Sequence, residues 1–236
     1  TVTVNGGTYK TTGQGSPTIY STADITVNNV TLTATASEGV VIEGANSVTL
    51  NNCTLTDTNN KLNGQSTTYK NIFLYQSMSG DASSGTAEFT AKGSTIVTNK
   101  GDTLYVTNTT AIINLENNNI KNNDSDGNFL RIQKDSWGTS GSNGGSVTLN
   151  TISQKMTGNI VVDSISSLVM NMSSSSYEGT INGDNTAKSI TLKLDKNSTI
   201  TLTGNSYVTS LDNADYTNSN INFNGYKLYV NGDSIN

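Results

Sequence analysis

The sequence predicts an all-β fold, a single-stranded parallel β-helix (β-solenoid) of about nine turns with three short strands in each turn. Three observations carry that expectation. First, Thr, Asn, Ser and Gly make up just over half of the 236 residues and only 33% are hydrophobic, too few for an ordinary two-layer domain. A net charge of only -5 and an abundance of Val, Ile and Thr argue for a long, thin β structure rather than disorder. Second, VTVNGGTY from Val2, ITVNNVTL from Ile25 and VTLNNCTL from Val48 repeat at a spacing of 23 residues. Third, apolar and polar residues alternate inside each copy, so that in VTL the Val and Leu face one way and the Thr the other.

The pattern continues through FTAKGSTI from Phe89, INLENNNI from Ile113, VTLN from Val147, LVMNM from Leu168, ITLKL from Ile190 and INFNGYKL from Ile221. Between these copies runs a second apolar series: TIYST from Thr18, VVIEG from Val40, IFLYQ from Ile72, TLYVT from Thr103, FLRIQ from Phe129 and IVVDS from Ile160. A repeat of this length with three strands fits one solenoid turn, whose strands stack on those of the next at about 4.8 Å. The LxxLxL signature of leucine-rich repeats and the six-residue period of left-handed helices are absent, and a propeller blade needs about 40 residues. The pairs Asn28-Asn29, Asn51-Asn52 and Asn117-Asn118 suit the bend between the first and second strands, because Asn tolerates left-handed backbone and its amide can bond to a neighbouring coil. The whole chain, 1–236, is expected to be one domain with longer loops around 56–86, 121–146 and 203–219.

The ITVNNVTL and VTLNNCTL style of repeat resembles right-handed parallel β-helix proteins of the pectin-lyase-like type, especially Thr/Asn/Ser-rich bacterial surface proteins and adhesins. The resemblance implies a right-handed solenoid, export and an extracellular or cell-surface location. It specifies a fold and not an activity.

Loops that leave a solenoid are where such scaffolds carry binding groups. The first two long loops flank the third strand of their turns. With Leu74, Val106, Ile132 and Val162 inward, Val41, Phe73, Tyr105, Arg131 and Val161 form one outward column, and Glu43, Tyr75, Thr107, Gln133 and Asp163 form the next. This face, with Trp137 and Tyr69 in the bordering loops, gathers aromatics, amides and the only arginine. Phe73, Tyr75, Tyr105, Arg131, Gln133 and Trp137 are therefore the candidate ligand-binding residues, of the kind on which a sugar ring can stack. The competing reading is that the loops fold over this face and the aromatics form a small satellite core.

Other chemistry is poorly represented. The absence of histidine removes Ser-His-Asp and histidine-metal mechanisms, and the single Cys53 sits among apolar-periodic residues as a buried small hydrophobe. Glycoside hydrolysis needs two carboxylates about 5–10 Å apart. Glu43 and Asp163, Asp212 and Asp215, and Asp124 and Asp126 read as solvated turn residues instead, so no catalytic residue is assigned. Asn122, Asp124, Asp126 and Gly127 begin like a calcium loop, but its twelfth position is Gln133 rather than a bidentate carboxylate, so no metal site or cofactor is expected. Scattered lysines disfavour nucleic acid, SGSNGG from Ser140 lacks the lysine of a phosphate loop, and the rows Thr31/Thr33 and Thr54/Thr56 are too short for an ice-binding lattice. No run reaches the roughly 18 apolar residues of a membrane span.

The expected function is that of a non-catalytic secreted or cell-surface stalk or adhesin module contacting a host or dietary glycan or other surface polymer. The alternatives are a subunit that self-associates end to end in an extracellular fibre, because no helical cap is legible at either terminus, and a polysaccharide lyase or glycoside hydrolase.

Overall fold

The computed structural model describes residues 1–236 and contains strands and turns without a helix. It is a right-handed parallel β-helix in which each turn contributes one strand to each of three faces. The first face is an unbroken nine-stranded parallel sheet from Val2–Asn5 to Ser210–Asn213. Successive 23-residue repeats pair in register, Val2 with Ile25 and Ile25 with Val48, so the sequence period is the period of the ladder.

The second face begins as a five-stranded sheet from Thr8–Thr11 to Asn119–Asn122 and resumes as a four-stranded sheet from Lys155–Thr157 to Ile221–Asn222. The third face runs as six strands from Ile19–Ser21 to Ile160–Val162, passes through a bridge between Ile160 and Ile181, and ends in Ser206–Val208 and Leu228–Val230.

One ninth-turn assignment needs correction. Ile221 does not open a first-sheet strand; it pairs with Ile200 in the second sheet, and the ninth first-sheet strand is Ser210–Asn213. The stretch 203–219 is accordingly no loop excursion, since it holds Ser206–Val208 as well as Ser210–Asn213. Leu211, aligned with Leu192, is the only large apolar residue in SLDN, so period-two alternation has nothing to register on.

The bend after the first strand is built alike turn after turn. Gly6, Asn29, Asn52, Gly93, Asn117, Ser153 and Ser174 all have φ between 47° and 73°. Asn and Gly tolerate that left-handed region best, which explains the asparagine pairs. Amide ladders run up the outside of the same sheet: Asn51 Nδ2 donates to Asn28 Oδ1 at 2.9 Å and Asn28 Nδ2 to Asn5 Oδ1 at 2.8 Å.

Inside, 42 buried apolar residues form one core from Ile19 to Leu228, with Leu74, Val106, Ile132 and Val162 inward as the alternation requires and Cys53 among them. From Ser94 onward the corner after the first-sheet strand adds a buried polar ladder, in which the Asn118 amide bonds to neighbouring coils as the asparagine pairs suggested. There Ser94 N donates to Asn118 Oδ1, Asn118 N to Gln154 Oε1 and Gln154 N to Ser175 Oγ, each at 2.9–3.1 Å. Such side chains satisfy backbone donors that a thin core would otherwise bury unpaired.

Candidate ligand groove

The outward columns of the third sheet follow the expected order. Tyr20 aligns with Val41, Val41 with Phe73, Phe73 with Tyr105, Tyr105 with Arg131 and Arg131 with Val161, while Glu43 aligns with Tyr75 and Tyr75 with Thr107. What the loops do over these columns divides them into a closed half and an open half.

The closed half lies over Tyr105. Its ring is fully buried and forms a second apolar cluster with Val41 and Phe73, against which Tyr75 and Trp137 pack. Its hydroxyl donates to Asp135 Oδ2 at 2.6 Å, and burial with that carboxylate beside it pushes the phenol far above its ordinary pKa. Asp135 also accepts from Thr67 Oγ1 at 2.8 Å, and Ser136 Oγ donates to Gln65 O at 2.5 Å, so the two long loops lock to each other above the sheet. Arg131 is drawn into an ion pair with Asp102 at 2.7 Å and donates to Gln133 Oε1 at 3.1 Å. Tyr105 is thus buried under the loops, while Arg131 and Gln133 are part-buried beside it, and none of the three lines the groove that the loops leave open. The satellite-core reading describes this half of the face.

The open half is a groove of about 360 Å³. Tyr20, Val41, Phe73 and Tyr75 form its floor, Asn63–Ser66 one wall, Ser77, Met78 and Ser79 the other, and Pro17, Glu38 and Trp137 complete it. The Phe73 and Tyr75 rings stack with centroids 4.4 Å apart, and Trp137 stands edge-on to both at 6.2 and 5.9 Å, fixed by an Nε1 hydrogen bond to Gln76 O at 3.0 Å. Tyr20 is half exposed and Met78 is 67% exposed, so both offer apolar surface at the lip. Of the six residues singled out from sequence, Phe73, Tyr75 and Trp137 line the groove.

Two carboxylates border the aromatics. Glu43, fully buried, accepts from the hydroxyls of Tyr20, Tyr75 and Ser77, and Tyr20 Oη lies 3.0 Å from Tyr75 Oη. Burial, with Glu43 beside it and against the opposing bond from Tyr20, raises the Tyr75 phenol to about 12, and burial with the Glu43 and Tyr75 bonds raises Tyr20 further, so both stay neutral at any physiological pH. Glu38 accepts from Ser37 Oγ at 2.9 Å and faces Lys70 Nζ at 3.5 Å.

Lys70 is the functional-looking residue that sequence reasoning missed. It is completely buried, its ammonium lies 4.4 Å above the Phe73 ring and 5.3 Å from the Tyr105 ring, and desolvation lowers its pKa. A lysine preceding an apolar strand reads as a surface residue unless the loop that covers it is foreseen. Elsewhere, the calcium-like stretch is a turn in which Asp124 Oδ2 accepts from Gly101 N at 2.7 Å, and no three His, Cys, Asp or Glu side chains gather as a metal site. No helix is long and apolar enough to cross a membrane.

Comparison with family models, with curated proteins and with solved structures finds no match for this chain. The fold therefore rests on the strand register, and the functional reading on the groove.

Proposed function

We propose that this β-solenoid is a non-catalytic recognition module of a secreted or cell-surface protein, and that it contacts carbohydrate through the groove between the long loops. The observation that carries the reading is the groove lining: Tyr75 stacked on Phe73, edge-on Trp137 and half-exposed Tyr20 beside the hydroxyls of Ser77 and Ser79 and the carboxylate of Glu38. Aromatic faces take the apolar face of a sugar ring, while short polar side chains at its rim match ring hydroxyls. A rigid solenoid suits this use, because it holds the floor in place with main-chain ladders and leaves specificity to the loops.

The test is saturable binding of the purified chain to a glycan array, repeated with Tyr20→Ala. Tyr20 is half exposed and belongs to neither apolar cluster, but its hydroxyl donates to buried Glu43, so the variant is expected to stay folded with a lowered melting temperature and to lose at least tenfold in affinity for the sugars that bind. Unchanged affinity in a folded Tyr20→Ala variant, or no binding across acidic, neutral and amino sugars, would overturn the proposal.

A further inference from the structure

We propose a second site in this chain: the corner beneath the 59–69 loop binds a hard, oxygen-seeking cation of the calcium class through Asp57, Asn59 and Asn71. All three side chains are completely buried. Both Asp57 carboxylate oxygens, Asn59 Oδ1 and Asn71 Oδ1 have no hydrogen-bond partner, an unusual concentration of orphaned acceptors for one place in a fold.

The bonding around them places all three in the corner between the second-sheet strand Thr54–Thr58 and the third-sheet strand Lys70–Tyr75. Asp57 turns inward from the second sheet, aligned with Ala34 on one side and Thr98 on the other. Asn71 Nδ2 donates to Thr98 Oγ1 at 3.0 Å and to Val97 O at 3.4 Å, and Asn59 Nδ2, two residues beyond Asp57, donates to Lys70 O at 2.8 Å. Because Val97 O and Lys70 O can only accept, they fix which end of each amide is nitrogen, and the unpaired end of each is an oxygen. Asn71 Oδ1 packs closely against Gly39, where a Cβ would collide with it.

Four acceptors without a donor call for positive charge. The neighbouring ammonium does not supply it, since Lys70 Nζ lies over the Phe73 ring and faces Glu38. Burial first, and the nearby Glu38 after it, push the Asp57 carboxyl up to about 9, so that without a cation it holds a proton that a bound calcium would displace. Calcium takes six to eight oxygens, carboxylate and amide carbonyl alike, at about 2.3–2.6 Å, so the chain would contribute four and water the remainder. Unlike a carboxylate cluster, this set has one acid and two amides, so it carries little net charge of its own.

The site also has a structural consequence. Asn59 and Asn71 stand at the two ends of the excursion that carries Asn63–Ser66 to the groove wall, so a cation would tie both ends of that wall to the solenoid. This consequence rests on the carbohydrate reading, whereas the cation site itself does not.

The experiment needs no sugar. The chain is stripped with EDTA, re-equilibrated with CaCl2 or with NaCl at matched ionic strength, gel-filtered, and measured for bound metal and melting temperature beside the near-isosteric Asp57→Asn. The expected result is about one calcium per chain and a saturable rise in melting temperature of several degrees in the wild type, with neither in Asp57→Asn. Should that variant fail to fold, Asn59→Ser serves, with at least tenfold weaker calcium binding expected by calorimetry. The proposal is overturned if the stripped wild type neither retains calcium nor changes its melting temperature, if NaCl acts as well as CaCl2, or if the variant responds like the wild type.

Discussion

Asp215 shows how single side chains hold turns that have little core beneath them. Its carboxylate accepts from Thr217 Oγ1 at 2.6 Å, Ser219 Oγ at 2.5 Å, Thr217 N at 3.1 Å and Asn220 N at 3.2 Å, closing the connection between the last first-sheet strand and Ile221. The Ser219 and Thr217 hydroxyls lead in lowering its pKa from 3.8 to about 2. A carboxylate with a depressed folded value stabilises the fold above its unfolded value, and that stabilisation is lost as pH falls. The contribution is thus intact above about pH 4 and disappears as pH falls to about 2. Acid unfolding followed by circular dichroism should show a smaller loss of stability over that window in Asp215→Asn than in the wild type, with both variants behaving alike between pH 5 and 7. Equal acid slopes would mean that the turn is held by its backbone bonds alone. The effect is expected to be small, because the group is fully exposed to solvent.

Among the elements, the two long loops are expected to open as one unit. They meet through Thr67 with Asp135 and Ser136 with Gln65, and both rest on the aromatic cluster. Trp137 joins the second loop to the first by its Nε1 bond to Gln76 O and its edge contacts with Phe73 and Tyr75. Trp137→Ala should cost about 2–3 kcal/mol, below the usual range for a fully buried aromatic because the indole is part-exposed. In hydrogen exchange and limited proteolysis the damage should appear in residues 59–69 and 133–144 while the sheets keep their protection. Loss of protection throughout the chain would show instead that the loops belong to the cooperative core. The sheets were legible in the sequence and the loops were not, for one reason. First-sheet strands such as Ser47–Asn51 and Thr86–Lys92 carry period-two alternation, and the equivalence of the apolar segments between them lined up the columns from Val41 to Val161. Whether Tyr105 lies open or covered, and whether Lys70 and Asp57 are buried, depends on connections whose residues have no period. Half of the groove was therefore readable as an outward aromatic column, and its walls, Tyr20 and Glu38 were not.

At the scale of the whole solenoid, the first and last turns of these 236 residues differ, and the difference predicts how this chain by itself associates. At the amino end Val2–Asn5, Thr8–Thr11 and Ile19–Ser21 each pair on one side only, with Val2 48% and Tyr9 47% exposed. At the carboxyl end Asp233–Ser234 runs antiparallel along Leu228–Val230 and covers the third-sheet edge. Asn236 seals it, its Oδ1 accepting from Leu228 N at 3.1 Å and its Nδ2 donating to Tyr226 O at 2.9 Å. Head-to-tail stacking grows without limit only if each end offers the edge that the other requires, and an antiparallel cover on one of three faces breaks that match. Light scattering on this chain should accordingly give particles of a single size across a concentration series. Removing residues 232–236 uncovers Leu228–Val230 and should promote self-association, seen as a concentration-dependent rise in mass. Length-polydisperse filaments from the intact chain would reverse the argument, showing that the cover is displaced on contact and making assembly, ahead of sugar recognition, the property to which the groove is fitted.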